Sequence, residues 1–187
     1  MALDQWIWAA LGALILMVLI WWRHRQHSYA SERSWLPKEL RDAELVYSER
    51  AFRSGGEVPI VAKCDRAYRV KKGEIVLLEL KTRRWNRPYL SDVIELSAQR
   101  LAIQMQTEEC VAAYGYVLIR KTNAATQSVH RVILLSAEEV MALATRRAAI
   151  FKGNTVARYA GAKGLCRKCA FASRCRAVTD PFDELAG

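Results

Sequence analysis

An acid and a base lie two residues apart at the end of the most hydrophobic predicted strand. Residues 75–78 are four consecutive apolar residues, followed by Glu79 and, two positions later, Lys81. Successive side chains of a strand face opposite sides of a sheet, so Glu79 and Lys81 would share one face. The preceding strand carries Asp65, and a three-residue turn would bring it close to the position opposite Glu79. The pattern therefore predicts two carboxylates and one ammonium around a single point.

These groups have a specific chemical use. Two carboxylates in a partly dry site repel each other, and a divalent cation relieves both charges. Oxygen ligands favour a hard ion, Mg²⁺ or Mn²⁺, which can polarise a phosphodiester while Lys81 orients the attacking water. A solvated strand face with a salt bridge across the hairpin would contain the same residue types. The catalytic interpretation is favoured because the charges follow a run that must be buried on both faces.

Regular elements that could position these residues follow one another along most of the chain. A hairpin of two strands is predicted at 58–70 and 74–83, and residues 42–52 fit a helix or a strand. An amphipathic helix with Ser91 as N-cap, two strands and a helix that ends at Gly153 should follow, at 91–109, 111–121, 130–136 and 137–153. This order predicts an α/β (α+β) domain with a mixed β-sheet flanked by helices.

Several motifs together resemble the core of the PD-(D/E)xK nuclease superfamily. The segment "CDRAYRVKKGEIVLLELKT" has Asp on one strand and Glu-x-Lys on the next, and Gln99 begins "QRLAIQ" in the following helix, as in the RecB-like branch. Cys166, Cys169 and Cys175 form a cluster similar to the end of the CRISPR-associated RecB-like exonucleases (the Cas-four type). The similarity covers roughly residues 44–176 and implies a restriction-endonuclease-like sheet.

The resemblance implies a role for each matched position at the strand end. The carboxylates of Asp65 and Glu79 would bind Mg²⁺ or Mn²⁺, with the Leu80 carbonyl as a further ligand. Lys81 would assist the attacking water. Gln99 would fix the geometry of the active site or contact DNA.

Three further positions bear on this comparison. Glu49, in "YSERAF", is the candidate for an upstream acid that completes the metal shell. Ile103 stands where the helix motif of the family carries Tyr, and no cysteine precedes Cys64, although the family takes a fourth cluster ligand from that region. These departures leave open a catalytically degenerate module that binds nucleic acid or a partner at the membrane.

The cysteines indicate a reduced compartment and a metal rather than disulfides. The spacing of Cys166, Cys169 and Cys175 suits a [4Fe–4S] cluster or Zn²⁺, and cysteines without metal are a third possibility. The missing fourth ligand could be Cys110, a histidine or an external group. Cys64 adjoins the proposed site and should face the opposite side of its strand, which predicts a core thiol.

Positive charge is concentrated next to the proposed site. The chain carries a formal charge of +10, which favours a polyanionic partner. Guanidinium groups suit phosphates and aromatic rings suit unstacked bases. The segment "KTRRWNRPY" supplies both, and the predicted nucleic-acid contacts are Arg83, Arg84, Trp85, Arg87 and Tyr89. A solvated basic face, or attraction to anionic lipid, is the alternative.

The N-terminal segment is predicted to be a membrane anchor. Residues 5–22 contain no charged side chain and have tryptophans near both ends, and as a helix they would extend about 27 Å. Arg23 and Arg25 follow directly, whereas only Asp4 precedes the segment. The positive-inside rule then places the N-terminus outside and the rest of the chain in the cytoplasm, with a single pass through the inner membrane.

These predictions divide the chain into five parts: an anchor (5–22), a juxtamembrane linker (23–41), a nuclease-like core (42–160), a cysteine cluster (161–178) and a tail (179–187). For the whole chain, the resemblance implies a Mg²⁺- or Mn²⁺-dependent deoxyribonuclease. The expected action is that of an exonuclease on single-stranded or end-containing DNA.

Overall fold

The computed structural model describes residues 12, 14–21, 35–122, 127–158 and 169–170. Within these ranges the elements follow one another with short connections. They are α1 (Lys38–Arg41), β1 (Glu44–Arg53), β2 (Val61–Arg69), β3 (Ile75–Arg83), α2 (Leu90–Thr107), β4 (Val111–Lys121), β5 (Gln127–Ile133) and α3 (Ala137–Phe151).

The strands form one five-stranded sheet in the order β1-β2-β3-β4-β5. The pairs β1–β2, β2–β3 and β4–β5 are antiparallel, whereas β3 and β4 are parallel and are connected through α2. A parallel pair requires such a crossover, because the chain must return to the starting edge of the sheet. The predicted mixed sheet with helices is confirmed.

Strand β3 lies at the centre of the sheet and is buried on both faces. Ile75 and Leu77 belong to one core cluster, together with Leu96 of α2. Val76 and Leu78 belong to a second cluster on the opposite face, with Leu36 and Leu40 from the segment around α1 among its members. This double burial explains the uninterrupted apolar run in the sequence.

Helix α2 packs closely on the sheet at Gly115 of β4. A Cβ atom at this position would lie 3.1 Å from the carbonyl oxygen of Leu77 and 3.6 Å from Cδ1 of Leu96. Leu96 is fully buried. The tight contact is with the backbone of β3, so the absence of a side chain at Gly115 leaves room for the Leu77 carbonyl, whereas the distance to Leu96 is an ordinary van der Waals contact.

The structure decides one open choice of the sequence analysis and corrects one predicted helix start. Residues 42–52 fitted a helix or a strand, and most of them belong to strand β1 (Glu44–Arg53), which pairs with β2. Helix α2 has Tyr89 and not Ser91 at its N-cap. The carboxylate of Asp92 accepts a hydrogen bond of 2.7 Å from the Tyr89 amide, and this starts the helix two residues earlier.

Most of the predicted membrane anchor lies outside the described residues. Within residues 5–22, positions 12 and 14–21 are described, as helix, and the side chains of 14–21 are exposed. No helix in the described part of the chain combines the length and the apolar character that crossing a membrane requires.

The chain divides into two compact units, Met1–Thr145 and Arg146–Gly187. The first contains the sheet and α2. The described residues of the second are 146–158 and 169–170, and they include the end of α3, where Arg146 donates a hydrogen bond of 3.2 Å to the carbonyl of Val156.

Candidate active site

Asp65 lies where β2 and β3 stop pairing. The last backbone pair of this ladder toward the end of β3 is Arg66 with Leu78. Asp65 is the next residue on β2, and its carboxylate accepts a hydrogen bond of 3.0 Å from the amide of Leu80. A side chain thus takes the place of a strand partner, which places the Asp65 carboxylate against the Glu79–Lys81 segment.

Glu79 is a buried carboxyl group held by two donors. Its side chain is 2% exposed. Lys81 Nζ lies 2.6 Å from one carboxylate oxygen, and Gln99 Nε2 donates to the other at 2.8 Å. Burial raises the pKa of Glu79 to about 7, although the hydrogen bonds from Lys81 and Gln99 act to lower it. The charged form of this group therefore has little solvation beyond these two donors.

Lys81 contacts two carboxylates. Its ammonium lies 2.6 Å from Glu79 and 2.7 Å from Glu95 of α2. Burial opposes the charged form, but hydrogen bonds to Glu79 and Glu95 outweigh it and raise the pKa of Lys81. Lys81 is therefore a cation in this state, and it can stabilise negative charge and donate hydrogen bonds.

Strand β3 and helix α2 meet through three polar pairs in sequence. Side chains at alternate positions of β3 face α2, and their partners on the helix are three and four residues apart, which places them on one helical face. The two elements run in opposite directions along this contact. The pairs are Glu79–Gln99 at 2.8 Å, Lys81–Glu95 at 2.7 Å and Arg83–Asp92 at 2.7 and 3.0 Å.

The structure thus brings Asp65, Glu79, Lys81 and Gln99 together, and it places Glu49 differently. Glu49 forms an ion pair with Lys63 of β2, and both side chains are 60% exposed. Its backbone has φ 52°, an uncommon value for a residue other than glycine. Ile103, at the position where the family motif carries Tyr, is buried in the core cluster below α2.

A family comparison agrees with this arrangement. The model of the PD-(D/E)XK nuclease superfamily matches residues 4–176. The chain belongs to this superfamily. The crystal structure of SSO0001 is one of the solved structures similar to it, at 16% identity over 83% of this chain and 70% of that one, with a TM-score of 0.47. No curated protein matches the chain.

Members of the PD-(D/E)XK superfamily are typically nucleases that use divalent metals such as Mg²⁺, and the match indicates a hydrolytic nuclease that binds nucleic acid. The structure brings Asp65, Glu79 and Lys81 together at the end of β3, as the sequence motif predicts. Hydrolysis with a divalent metal requires such a convergence, because metal ligands and a lysine must surround one phosphodiester.

The oxygen atoms at this nuclease site fit a hard divalent ion. Carboxylates are suitable ligands, and Oε1 of the buried Gln99 has no hydrogen-bond partner within the described part of the chain. Three carboxylates, of Asp65, Glu79 and Glu95, and one ammonium, of Lys81, sum to a formal charge of −3 + 1 = −2. In the described ranges, no three acidic, histidine or cysteine side chains are grouped to hold an ion alone. Carbonyl, water or substrate oxygens would therefore complete the shell, as is usual for Mg²⁺.

The basic segment after β3 forms a loop in which one arginine is bonded within the fold and the other basic side chains are exposed. Arg83 is committed to Asp92 and also lies over the Tyr89 ring, 4.6 Å from its centroid. Trp85 is 62% exposed, with the Arg84 guanidinium 5.4 Å from its ring centroid. Arg87 is exposed and lies 5.3 Å from the Tyr89 ring centroid. The structure therefore leaves the side chains of Arg84, Trp85 and Arg87 available at the surface, and engages Arg83 within the fold.

This loop is also attached to the far edge of the sheet. The Asn86 side-chain oxygen contacts the hydroxyl of Ser128 and lies 3.0 Å from Nε2 of His130, both on β5. The loop that carries the exposed aromatic and basic side chains is therefore attached at two points. These are the Arg83–Asp92 pair at one end and Asn86 in the middle. No local pattern predicts the contact of Asn86 with β5, since its partners are 42 and 44 residues away.

The predicted cysteine ligands lie largely outside the described residues. Cys166 and Cys175 lie outside the described residues. Cys169 and Cys110 are described, and both are exposed. The Sγ atom of Cys110 lies 4.0 Å from a carboxylate oxygen of Glu74. Cys64 is buried in the core, and burial raises the pKa of its thiol to about 12, so this residue packs as an apolar group.

Sequence reasoning missed Glu95 and Asp92. Both precede Gln99 on α2 by whole-turn spacings, four and seven residues, and this periodicity was visible in the sequence. Charged or polar residues recur every two positions on β3 and every three to four positions on α2, and this match indicates that the two rows could face each other. Charged residues at a helix start are common, however, so the spacing alone selects no partner.

Proposed function

We propose that this chain is a membrane-anchored, cytoplasm-facing nuclease that hydrolyses DNA with Mg²⁺ or Mn²⁺. The single observation that carries the proposal is the convergence of Asp65, Glu79 and Lys81 at the point where β2 and β3 separate. Where the ladder ends, the Asp65 carboxylate bonds to the Leu80 amide in place of a strand partner, and it therefore lies beside the Glu79–Lys81 segment.

When bound, the ion would polarise the phosphodiester and acidify a water. Asp65 and Glu79 would hold it through their carboxylates, with the Leu80 carbonyl as a further ligand. Gln99 would fix the orientation of the Glu79 carboxylate through its amide. Lys81 would leave Glu79, orient the attacking water and stabilise charge that develops on the phosphoryl oxygens.

The proposed DNA contacts lie on the loop after β3. Arg84 and Arg87 would contact phosphates, and Trp85 would stack on an unpaired base. Arg83 and Tyr89, proposed as contacts from the sequence, would act indirectly by holding the loop. An exposed aromatic ring favours unpaired nucleotides, which is consistent with exonuclease-like action on single-stranded or end-containing DNA.

The membrane part of the proposal is supported by the sequence of residues 5–22 and by the exposed apolar side chains of residues 14–21. A single pass with the N-terminus outside would place the nuclease core in the cytoplasm. The positive charges after the segment are the basis of that orientation.

A digestion experiment tests the catalytic proposal. The full chain in detergent is incubated with labelled single- and double-stranded DNA, with Mn²⁺ or with a chelator. We expect metal-dependent cleavage that falls at least about 100-fold in Lys81→Ala, because a charge that stabilises the transition state is lost. Lys72→Ala, in the exposed β2–β3 turn, is the matched control and should keep its activity. Cleavage that survives Lys81→Ala would contradict the assignment.

A binding experiment separates a nuclease from a degenerate module that only binds nucleic acid. Calorimetry of the full chain should show a saturable Mn²⁺ site that Glu79→Ala removes. If DNA binds while Mn²⁺ does not, the non-enzymatic interpretation is the correct one.

For Cys166, Cys169 and Cys175 the proposal is a [4Fe–4S] cluster, with Zn²⁺ as the alternative and Cys110 as one candidate for the fourth ligand. The spacing of the three cysteines supports it. Elemental analysis for Fe, Zn and Mn on anaerobically purified protein decides between the metals, and the visible absorption of an iron–sulfur cluster should be lost in Cys169→Ser. If the purified protein contains neither Fe nor Zn, the cysteines bind no metal and this part of the proposal is wrong.

A further inference from the structure

Lys81 is shared between a buried and an exposed carboxylate. Its ammonium is 2.6 Å from Glu79, which is 2% exposed, and 2.7 Å from Glu95, whose side chain is 47% exposed. The superfamily motif contains Glu79 but assigns nothing to Glu95. The ammonium therefore lies at the boundary between the dry interior and the open side of the site.

Both carboxylate oxygens of Glu79 are occupied by donors. Lys81 contacts Oε1 and Gln99 donates to Oε2. Each oxygen keeps a further lone pair, but a divalent cation on this carboxylate would repel the neighbouring Lys81 ammonium, whereas the neutral Gln99 amide carries no such charge. Gln99 is 1% exposed and fixed within α2, whereas the Lys81 side chain is 24% exposed and has four rotatable bonds. Lys81 is the donor that can move.

The position of Lys81 after it leaves Glu79 decides whether it still acts on the reaction. An ammonium released into solvent would be strongly hydrated and far from the phosphodiester. Glu95 already contacts it, and Glu95 lies one helical turn before Gln99, on the same face of α2. The helix that fixes Glu79 through Gln99 thus also presents the group that can retain Lys81.

We propose that Glu95 is a positioning residue, which retains the Lys81 ammonium at the active site when a divalent cation takes its place on Glu79. The inference rests on the proposed nuclease function and adds a residue to it. Glu95 touches neither substrate nor cation in this role, and it acts through Lys81.

A double-mutant cycle on metal binding tests this role apart from catalysis. Mn²⁺ affinity is measured by calorimetry for the full chain in detergent, with Glu95→Gln made in the wild-type background and in Lys81→Met. We expect Glu95→Gln to weaken Mn²⁺ binding roughly tenfold in wild type, because the displaced ammonium has lost its receiver. In Lys81→Met there is no ammonium to move, so the same change should alter the affinity by less than about twofold.

Kinetics supply the second readout. In single-turnover and steady-state cleavage, Glu95→Gln should lower kcat about tenfold and leave the KM for DNA within about twofold, since the residue positions Lys81 and does not bind the substrate. Glu57→Gln, which removes one negative charge from the exposed β1–β2 loop, is the control for an effect of net charge and should match wild type in both assays.

The outcomes distinguish this inference from the function on which it rests. An equal loss of Mn²⁺ affinity in both backgrounds would make Glu95 a ligand or a background charge, and would overturn the positioning role. Wild-type affinity and kcat in Glu95→Gln would overturn it as well, while leaving the nuclease proposal intact. A wild-type chain without a Mn²⁺ site that depends on Glu79 would overturn both.

Discussion

At the scale of single residues, the decisive property of the site is the burial of one carboxyl group. Glu79 loses most of its hydration, and Lys81 and Gln99 replace only part of it. The consequence is a raised pKa, which makes the protonated form abundant near neutral pH when no metal is present. A cation bound as proposed would favour the ionised form, so metal binding and proton release would be coupled at this residue.

The raised pKa of Glu79 predicts a particular pH dependence of stability without metal. Between the ordinary value of 4.5 and the folded value of about 7, the folded protein binds more protons than the unfolded one. The contribution of Glu79 to the free energy of unfolding must therefore fall as pH rises through this window. Urea unfolding with a chelator at pH 5 and pH 8 should show this loss in wild type.

Glu79→Gln provides the comparison, since glutamine has a similar shape and does not titrate. Its urea midpoint should fall less than that of wild type between pH 5 and pH 8. Parallel changes in the two proteins would show that other groups cause the pH dependence.

The sequence was informative about the motif residues and silent about their partners. Glu79 and Lys81 could be predicted because strand geometry alone places i and i+2 on one face. Glu95 could not, because its contact with Lys81 depends on how deeply and in which register α2 lies on the sheet. That register is set by packing of residues such as Leu96, which no local pattern encodes.

At the scale of elements, the contact of β3 with α2 both positions the proposed site residues and stabilises the fold. Arg83 and Asp92 form a bidentate pair with side chains 15% and 3% exposed, and Asp92 also accepts from the Tyr89 amide at the start of α2. Burial opposes the ionised form of Asp92, but Arg83 and the Tyr89 amide outweigh it and lower the pKa. One carboxylate thereby fixes both the end of β3 and the beginning of the helix.

Removing this carboxylate should be costly. Asp92→Ala leaves the Arg83 guanidinium largely buried without its partner, and we expect a loss of about 2–4 kcal/mol in the free energy of unfolding. Replacing both members, with Arg83→Met and Asp92→Leu, should cost about 1 kcal/mol, mainly for the lost helix start. Lys63→Ala, which breaks an exposed ion pair, should change stability by less than about 0.5 kcal/mol.

Denaturant titrations measure these differences. If the double replacement is as unstable as Asp92→Ala, the unpaired guanidinium is not the cause of the loss.

The elements themselves were predictable to different degrees. The strands β3 and β4 have long apolar runs, and α2 has a clear helical period, so composition and periodicity sufficed. Strand β1 could not be separated from a helix, since "ELVYSERAFR" is polar at half of its positions without a period of two, and it becomes a strand by pairing with β2. The start of α2 was displaced because the carboxylate of Asp92 and not the hydroxyl of Ser91 satisfies the free amide.

At the scale of the whole molecule, a formal charge of +10 should govern the association with a polyanion such as the proposed DNA substrate. Each basic side chain that contacts a phosphate adds to the dependence of affinity on salt. The exposed loop after β3 combines such side chains with Trp85, so its contribution can be separated from the general charge.

Two variants of this loop should affect DNA binding in different ways. Trp85→Ala should weaken binding of single-stranded DNA about 5- to 100-fold with little change in the salt slope, because base stacking is lost. Arg84→Ala should reduce the slope of log affinity against log salt by roughly one, because one phosphate contact is lost. Fluorescence anisotropy with a chelator, over a series of salt concentrations, measures both quantities.

Lys71→Ala, in the β2–β3 turn, carries the same charge change as Arg84→Ala and serves as its control. Its slope should equal that of wild type. An equal reduction in the two variants would mean that the loop has no special part in DNA binding.

The absence of a side chain at Gly115 has a consequence for the active site that reaches beyond packing. A methyl group there would lie 3.1 Å from the Leu77 carbonyl oxygen, so the backbone of β3 would have to give by a few tenths of an ångström. Leu77 lies two residues before Glu79, and a displaced strand would carry the buried carboxylate and the lysine after it away from their partners on α2. The smallest residue of β4 thus helps to set where the charged groups of the neighbouring strand lie, although it contacts none of them.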